Sequence, residues 1–423
     1  EAFLNVPGGL AALGPMASGL AANLTDVAAM FALITAGIAT TIGLYRPEVC
    51  LEKRRLVVTA ALAGIVAFPI LLLVSGSFHI GLTAWVAFWL ALMLLAWQAG
   101  ILATHFAFSA MVPRAGMVRR VLVLGSERRT LRLVEMLRGR RVRLFEPVIA
   151  SAVPTLSTSH LREQRIWGVI VADQAEAGPN AAALLDSKLR GARVLSITAF
   201  CEQHLGRIDL ETVDAHWLLC AEGFAQGRLT NVVKRAMDLG VSLSLLVLTL
   251  PVMLVTALLI KLDSPGPVLY RQQRLGLHGE PFTLRKFRSM RIDAEASGDP
   301  RWAQQQDPRV TRVGRFIRAM RIDELPQLIN VLLGEMSMIG PRPERPHFVE
   351  QLARVIPLYR QRAYVKPGIT GWAQVNYPYG ASVEDAREKL AYDLYYVKNR
   401  SLLLDVLILF STVRVILFRE GAR

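Results

Sequence analysis

The sequence predicts a membrane protein in three parts: an N-terminal transmembrane helix bundle over 1–116, an α/β middle domain over 117–225, and a mainly α, monotopic domain over 226–423. Three observations predict it. The first is a set of apolar runs over 24–44, 57–74 and 80–103, each near the roughly 20 residues that cross a bilayer. The second is an alternation of strand-like and helix-like segments in the middle of the chain. The third is another long apolar run, 241–260, interrupted by Pro251 and flanked on both sides by basic residues.

Composition sets the bounds. With 423 residues the chain exceeds one ordinary domain, and 52% hydrophobic residues is more than a typical soluble protein carries. A net charge of +15 asks for an anionic partner: nucleic acid, acidic lipid headgroups or a phosphorylated substrate. Cys50, Cys201 and Cys220 are scattered, with neither Cys-x-x-Cys nor Cys/His spacing, which argues against a disulfide framework and a zinc site. No basic segment precedes a short apolar core, so no signal peptide is visible, and the natural start is expected upstream of Glu1.

Charge orients the spans. Arg46, Lys53, Arg54 and Arg55 separate the first two runs, the 75–83 loop has no lysine or arginine, and Arg114, Arg119 and Arg120 follow the third run. The positive-inside rule puts both basic segments in the cytoplasm, which calls for one more span, either upstream or in the weakly apolar stretch 8–20. In the middle domain, strand-like 120–124 ends at Gly125, and strand-like 167–172 and 192–196 enclose a helical segment at 181–189. This pattern suggests a small Rossmann-like parallel sheet. Its first turn offers only Gly125 where a dinucleotide needs G-x-G-x-x-G for close backbone approach, so the expectation is a structural or regulatory module that does not bind NAD.

The run around Pro251 is long enough to span. Proline removes a backbone donor and bends or breaks a helix, and Lys234, Arg235 and Lys261 make both ends basic. A re-entrant helical hairpin over about 232–262, entering and leaving on the cytoplasmic side, satisfies both facts. An ordinary kinked span is the alternative.

The chemistry concentrates further on. Arg309, Arg312, Arg315, Arg318 and Arg321 recur at every third residue and lead into Asp323-Glu324-Leu-Pro326-Gln327. Two carboxylates just before a proline and an amphipathic stretch read as a helix N-terminus, where unpaired N–H groups keep an Asp ionised and welcome phosphate. An ionised carboxylate attacks phosphorus only when the repulsion between anions is relieved, which arginines and a divalent cation would do. N-capping alone explains one acidic residue better than two. Gly340-Pro-Arg342-Pro343 and Lys366-Pro-Gly368 are stiff loops, the first aiming a guanidinium at low entropic cost.

Together with Lys234-Arg-Ala-Met-Asp238, the 264–276 stretch and Leu284-Arg-Lys286-Phe-Arg288-Ser-Met290, these motifs resemble the bacterial sugar transferase family, the polyprenyl-phosphate hexose-1-phosphate transferases. The resemblance covers the third region; the spans and degenerate Rossmann-like domain are similar to the large members. It implies that Asp323 attacks the β-phosphate of a UDP-sugar, expels UMP and holds a phospho-sugar until a polyprenyl phosphate takes it. Glu324 completes the dyad, with magnesium positioning or acid/base help both open, so Mg2+ is the expected cofactor and Asp323 and Glu324 its ligands. Arg318 and Arg342 are the expected phosphate contacts, with Lys286 and Arg288 as weaker ones, and Pro251 anchors the membrane hairpin.

The implied setting is the cytoplasmic face of the bacterial inner membrane, among membrane lipids, with a homodimer through the middle domain and no nucleic acid partner. Leu250 precedes the proline where the family often has serine, and the apolar run 402–418, carrying Asp405 and Arg414, is expected as an amphipathic interfacial helix. Two other classes compete. A membrane-anchored nucleotide-sugar dehydratase or epimerase would need a glycine fingerprint and Tyr-x-x-x-Lys, and the middle region has no tyrosine. A non-catalytic scaffold for nucleic acid or acidic lipid explains the charge but leaves the dyad and the proline–arginine loop unexplained.

Overall fold

The computed structural model describes residues 28–40, 42–45, 53–77, 84–111, 118–138, 144–149, 161, 163–213, 217, 221, 223–224, 227–292, 307–378, 380 and 382–418. They belong to two compact units, Glu1–Val118 and Arg119–Arg423. The stretch 8–20 and the start of the first expected span lie outside the described residues.

In the first unit, α1 (Ala28–Thr40), α2 (Lys53–Ser77) and α3 (Ala84–Met111) are apolar helices. Stretches Leu56–Val74 and Ala87–Phe108 are long and apolar enough to cross a membrane. Small residues on α2 make the packing possible: Ala60 and Ala67 are buried with Leu71, against Leu94 and Trp97 of α3. Helices in lipid gain no hydrophobic drive from association, so close approach through small side chains supplies the contact energy. Ile65, Leu73 and Leu95 stay exposed, as lipid-facing positions do. The third helix runs to Met111, past the end of the run expected at 103, because residues 104–111 carry no breaker.

The second unit opens with a parallel sheet in the order β2–β1–β3–β4, formed by β1 (Arg119–Leu124), β2 (Phe145–Ile149), β3 (Ile166–Val171) and β4 (Arg193–Ser196). Helices α4 (Glu127–Arg138) and α5 (Gln174–Leu189) connect it. Val121 and Val123 pack beneath Leu133 and Leu137 of α4. Strand β2, absent from the sequence expectation, tolerates Pro147 because it is an edge strand and needs fewer ladder donors. Gly125 is required by crowding, since a Cβ there would lie 2.7 Å from that of Ala172.

Next comes α6 (Arg228–Asp263), a 36-residue helix that holds Pro251 without dividing in two. Then follow the antiparallel hairpin β5 (Leu269–Leu275) and β6 (Pro281–Phe287), α7 (Arg312–Ala319), α8 (Gln327–Leu333), β7 (Ser337–Ile339), α9 (Pro346–Val355), β8 (Gly368–Thr370), α10 (Trp372–Asn376), α11 (Val383–Asn399) and α12 (Leu402–Phe418). Leu284, Leu328, Val331, Met338, Tyr396 and Ile408 form the main core of this part. The sheet is tied to it directly. Arg207 forms a two-pronged ion pair with Glu388 of α11, Trp372 Nε1 donates to Gly206 O at 2.7 Å, and Ile208 N–H donates to Ala391 O.

Both ends of α6 are fastened to this core. At its start Lys234 pairs with Asp238 at 2.9 Å and Asp405 at 3.1 Å, Asp238 accepts from the Met338 N–H, and Arg235 donates to the Val331 and Leu332 carbonyls that α8 leaves open. Asp405 is therefore buried and accepts from the Tyr396 hydroxyl, so in the helix expected to be amphipathic and interfacial this carboxylate faces the protein core. A carboxylate in an apolar helix turns inward when a lysine and a hydroxyl await it. At the far end, Met253, Ala257 and Ile260 pack on Phe287 and Ile317. On its other faces Val247, Leu248, Leu254, Val255, Leu258 and Leu262 are exposed.

Candidate active site

The dyad sits in a single 3-10 turn, Ile322–Glu324, between α7 and α8. Its entry is forced by Arg321, which takes a left-handed conformation (φ 58°), so that the arginine ladder ends there. Helix α7 holds only Arg312, Arg315 and Arg318; Arg309 lies before it, paired with Asp307. Backbone bonds from Leu325 N–H to Ile322 O and Leu328 N–H to Leu325 O carry the helical winding through Pro326 into α8. The expected helix start is thus present, preceded by one tight turn that carries both acids inward: Asp323 is 9% and Glu324 8% exposed.

Glu324 gathers the cations. Its Oε1 lies 2.7 Å from Arg342 Nη2, 3.5 Å from Lys286 Nζ and 3.6 Å from Arg321 Nη1. Burial alone would push its carboxyl up, but Arg342, Lys286 and Arg321 outweigh burial and hold it far below the ordinary glutamate range. Asp323 behaves oppositely. Burial and then the neighbouring Glu324 charge raise it above the usual aspartate value, while Lys286, Arg342 and Arg318 pull it back only in part. Among the described residues no group forms a hydrogen bond or ion pair with the Asp323 carboxylate. The two acids divide their roles: Glu324 orders the cations, and Asp323 is left with an available oxygen in their field. Lys286 is itself lowered by burial, with Glu324 the main opposing influence.

The loop bearing Arg342 is set by backbone crowding. A Cβ on Gly340 would lie 2.2 Å from Lys366 O, and one on Gly368 2.1 Å from Gly340 N, so the two loops interlock only with glycine at both places. Gly368 N–H donates to Pro341 O. Arg362, half-buried and paired with the buried Asp393 at 2.7 Å, donates to the Arg342 carbonyl at 3.0 Å and fixes that residue from behind.

Asp323, Glu324, Arg342 and Lys286 are therefore brought together, with Arg318 near enough to act on Asp323 through its charge. Arg288 is placed elsewhere. Its guanidinium donates to Ser264 O at 2.7 Å, Pro265 O at 2.6 Å and Ser264 Oγ at 3.0 Å, closing the C-terminal end of α6. In the structure it serves as a cap rather than standing at the dyad, because carbonyls at a helix end need donors. Arg321 was missed as a member of the site; the last place in the ladder, next to the dyad, was the available signal. Pro251 lies in α6, where Thr249 Oγ1 donates to Leu245 O at 2.7 Å, a back-bond that bends helices.

For a cation, no three His, Cys, Asp or Glu side chains come together among the described residues. Asp323 and Glu324 are two adjacent carboxylates, and magnesium is commonly bound through one or two carboxylates completed by phosphate and water rather than an all-protein cage.

The bacterial sugar transferase family model matches residues 229–419. The chain is 53% identical over 191 residues to an Aeromonas hydrophila UDP-N-acetylgalactosamine-undecaprenyl-phosphate N-acetylgalactosaminephosphotransferase, covering 45% of each chain. It is 44% identical over 187 residues to the Escherichia coli UDP-glucose:undecaprenyl-phosphate glucose-1-phosphate transferase, covering 44% of this chain and 40% of that one. The chain thus spans less than half the length of these two relatives. A Rhizobium leguminosarum exopolysaccharide production protein is matched at 46% identity over 191 residues, 94% of its length and 43% of this chain. The family model covers the part of the sequence that builds the acidic turn, its cations and the interlocked glycine loops, and the chain belongs to the bacterial sugar transferase family.

Proposed function

We propose that the protein transfers a hexose-1-phosphate from a UDP-sugar to undecaprenyl phosphate, releasing UMP, as the first membrane step of exopolysaccharide, capsule or O-antigen synthesis. The single observation that carries this reading is the Asp323 carboxylate, buried, without a hydrogen bond or ion pair among the described residues, beside a glutamate that collects three cations. The names of the relatives supply the substrate class: two of them couple a UDP-sugar with undecaprenyl phosphate.

In the first step an Asp323 oxygen attacks the β-phosphorus. The bond from that phosphorus to the bridging oxygen breaks, and UMP leaves with the oxygen. In the second step an oxygen of undecaprenyl phosphate attacks the same phosphorus, the Asp323–phosphorus bond breaks, and the carboxylate is restored. Neither step needs a proton from the enzyme. Arg342, Lys286 and Arg318 offset charge on the transferring group. Asp323 and Glu324 would hold Mg2+, which supplies further charge neutralisation on the diphosphate. Raised basicity also makes Asp323 a stronger nucleophile, at the cost of needing deprotonation at low pH.

Helix α6 supports a topology. A straight 36-residue helix is about 54 Å long, and α6 exposes apolar side chains from Leu229 to Leu262 while Lys234 near its start and Ile260 near its end are held by the same compact unit. This supports a bent, re-entrant helix around Pro251 that holds the site on the cytoplasmic face of the inner membrane. The parallel sheet, read as a degenerate Rossmann-like module, serves assembly as a homodimer.

Mass spectrometry tests the mechanism. Enzyme given UDP-sugar without acceptor should release UMP and gain a sugar phosphate on the peptide containing Asp323, and Asp323→Asn should abolish both. UMP release only with undecaprenyl phosphate, and no adduct, would demote Asp323 to a metal ligand.

A further inference from the structure

Gln327, the first residue of α8, is a third buried polar residue just beyond the acidic turn. It is 3% exposed, and among the described residues its Nε2 has no hydrogen-bond partner. The winding is continuous from Ile322 to Leu333, so Gln327 lies three residues beyond Glu324 and four beyond Asp323, on the helical face they share. A buried amide N–H without a partner is destabilising, and an alkyl side chain of similar volume would avoid that cost. Its neighbours Leu328 and Val331 are ordinary core residues, which makes a donor here conspicuous.

We propose that Gln327 is a catalytic residue whose Nε2–H2 donates to a non-bridging oxygen of the phosphoryl group undergoing transfer. This rests on the transfer reaction proposed above. Asp323 supplies the attacking oxygen from the turn below, Arg342 and Lys286 bring charge, and the carboxamide contributes a neutral donor with fixed direction. A neutral donor leaves the ionisation of Asp323 untouched, whereas a further cation would depress its basicity. Donors aimed at oxygens where charge builds up strengthen as the transition state forms, so the contribution falls on turnover more than on substrate binding.

The experiment compares wild-type, Gln327→Leu and Gln327→Asn full-length proteins in UMP release with UDP-sugar and undecaprenyl phosphate, alongside thermal unfolding. Gln327→Leu should unfold at the wild-type temperature or higher, while kcat falls about 10- to 100-fold and KM for UDP-sugar changes less than threefold. Gln327→Asn, with a donor one methylene too short, should lose turnover to a comparable extent. Wild-type turnover in Gln327→Leu would overturn the proposal. So would a fall in unfolding temperature with kcat per folded molecule preserved, which marks a purely structural amide. If wild-type enzyme releases no UMP from any UDP-sugar, the transfer reaction itself fails, a result distinct from either of these.

Discussion

Replacing Glu324 by glutamine separates the two acids most cleanly. The change keeps the shape and one acceptor for Arg342 but removes the charge that Arg342, Lys286 and Arg321 share at 2.7, 3.5 and 3.6 Å. Unit charges 3.5 Å apart attract by about 5 kcal/mol at an effective dielectric near 20. Desolvation cancels much of that, and losing one side of a buried pair costs about 3–5 kcal/mol. Because the amide still accepts from Arg342, a net loss of about 2–3 kcal/mol is expected, or about 5 °C in unfolding temperature for a unit this large. Turnover should fall about 10²–10³-fold as the cations lose their common anchor.

The pH profile carries the sharper signature. The Glu324 charge helps raise Asp323 and is the main influence holding Lys286 up against burial. Without it Asp323 ionises at lower pH, so the acid limb moves down; Lys286 also loses its proton at lower pH, so the alkaline limb moves down too. Rates of UMP release measured across pH in wild type and Glu324→Gln check both shifts, and added Mg2+ should recover part of the lost rate. Limbs that stay in place, or an acid limb that moves up, would refute the division of roles between the two acids.

Two further outcomes follow from the fold. Arg288→Met strips donors from the carbonyls that end α6 and should destabilise the protein by about 3 kcal/mol with KM for UDP-sugar unchanged, read by thermal unfolding and kinetics; a raised KM without lost stability would restore Arg288 as a phosphate contact. Cysteines placed at Lys234 and Lys261 should both escape an impermeant thiol reagent applied to intact cells, and strong labelling of either would replace the re-entrant helix by a crossing one.

Much was legible along the chain because it depends on neighbours in sequence. The apolar runs, the alternation that makes the parallel sheet and the acidic turn before Pro326 are local patterns, and the second and third apolar helices, strands β1, β3 and β4 and the turn lie close to where those patterns put them, whereas the edge strand β2 was not legible. Length and polarity suffice for a span, and proline with two acids suffices for a helix start. Other assignments needed contacts between distant segments. Arg288 and Arg342 both stand in arginine-bearing motifs, yet one closes α6 across 24 residues and the other meets Glu324 across 18. Nothing near Asp405 announces that Lys234 and Tyr396 will draw it inside. The raised Asp323 and lowered Glu324 are neighbours with opposite shifts because burial is common to both, while the bridging cations come from β6, the Arg342 loop and a left-handed Arg321. Sequence thus determined which groups are present and how the chain winds locally. Only tertiary packing decided which charges meet, since ion pairing and desolvation depend on separation in space.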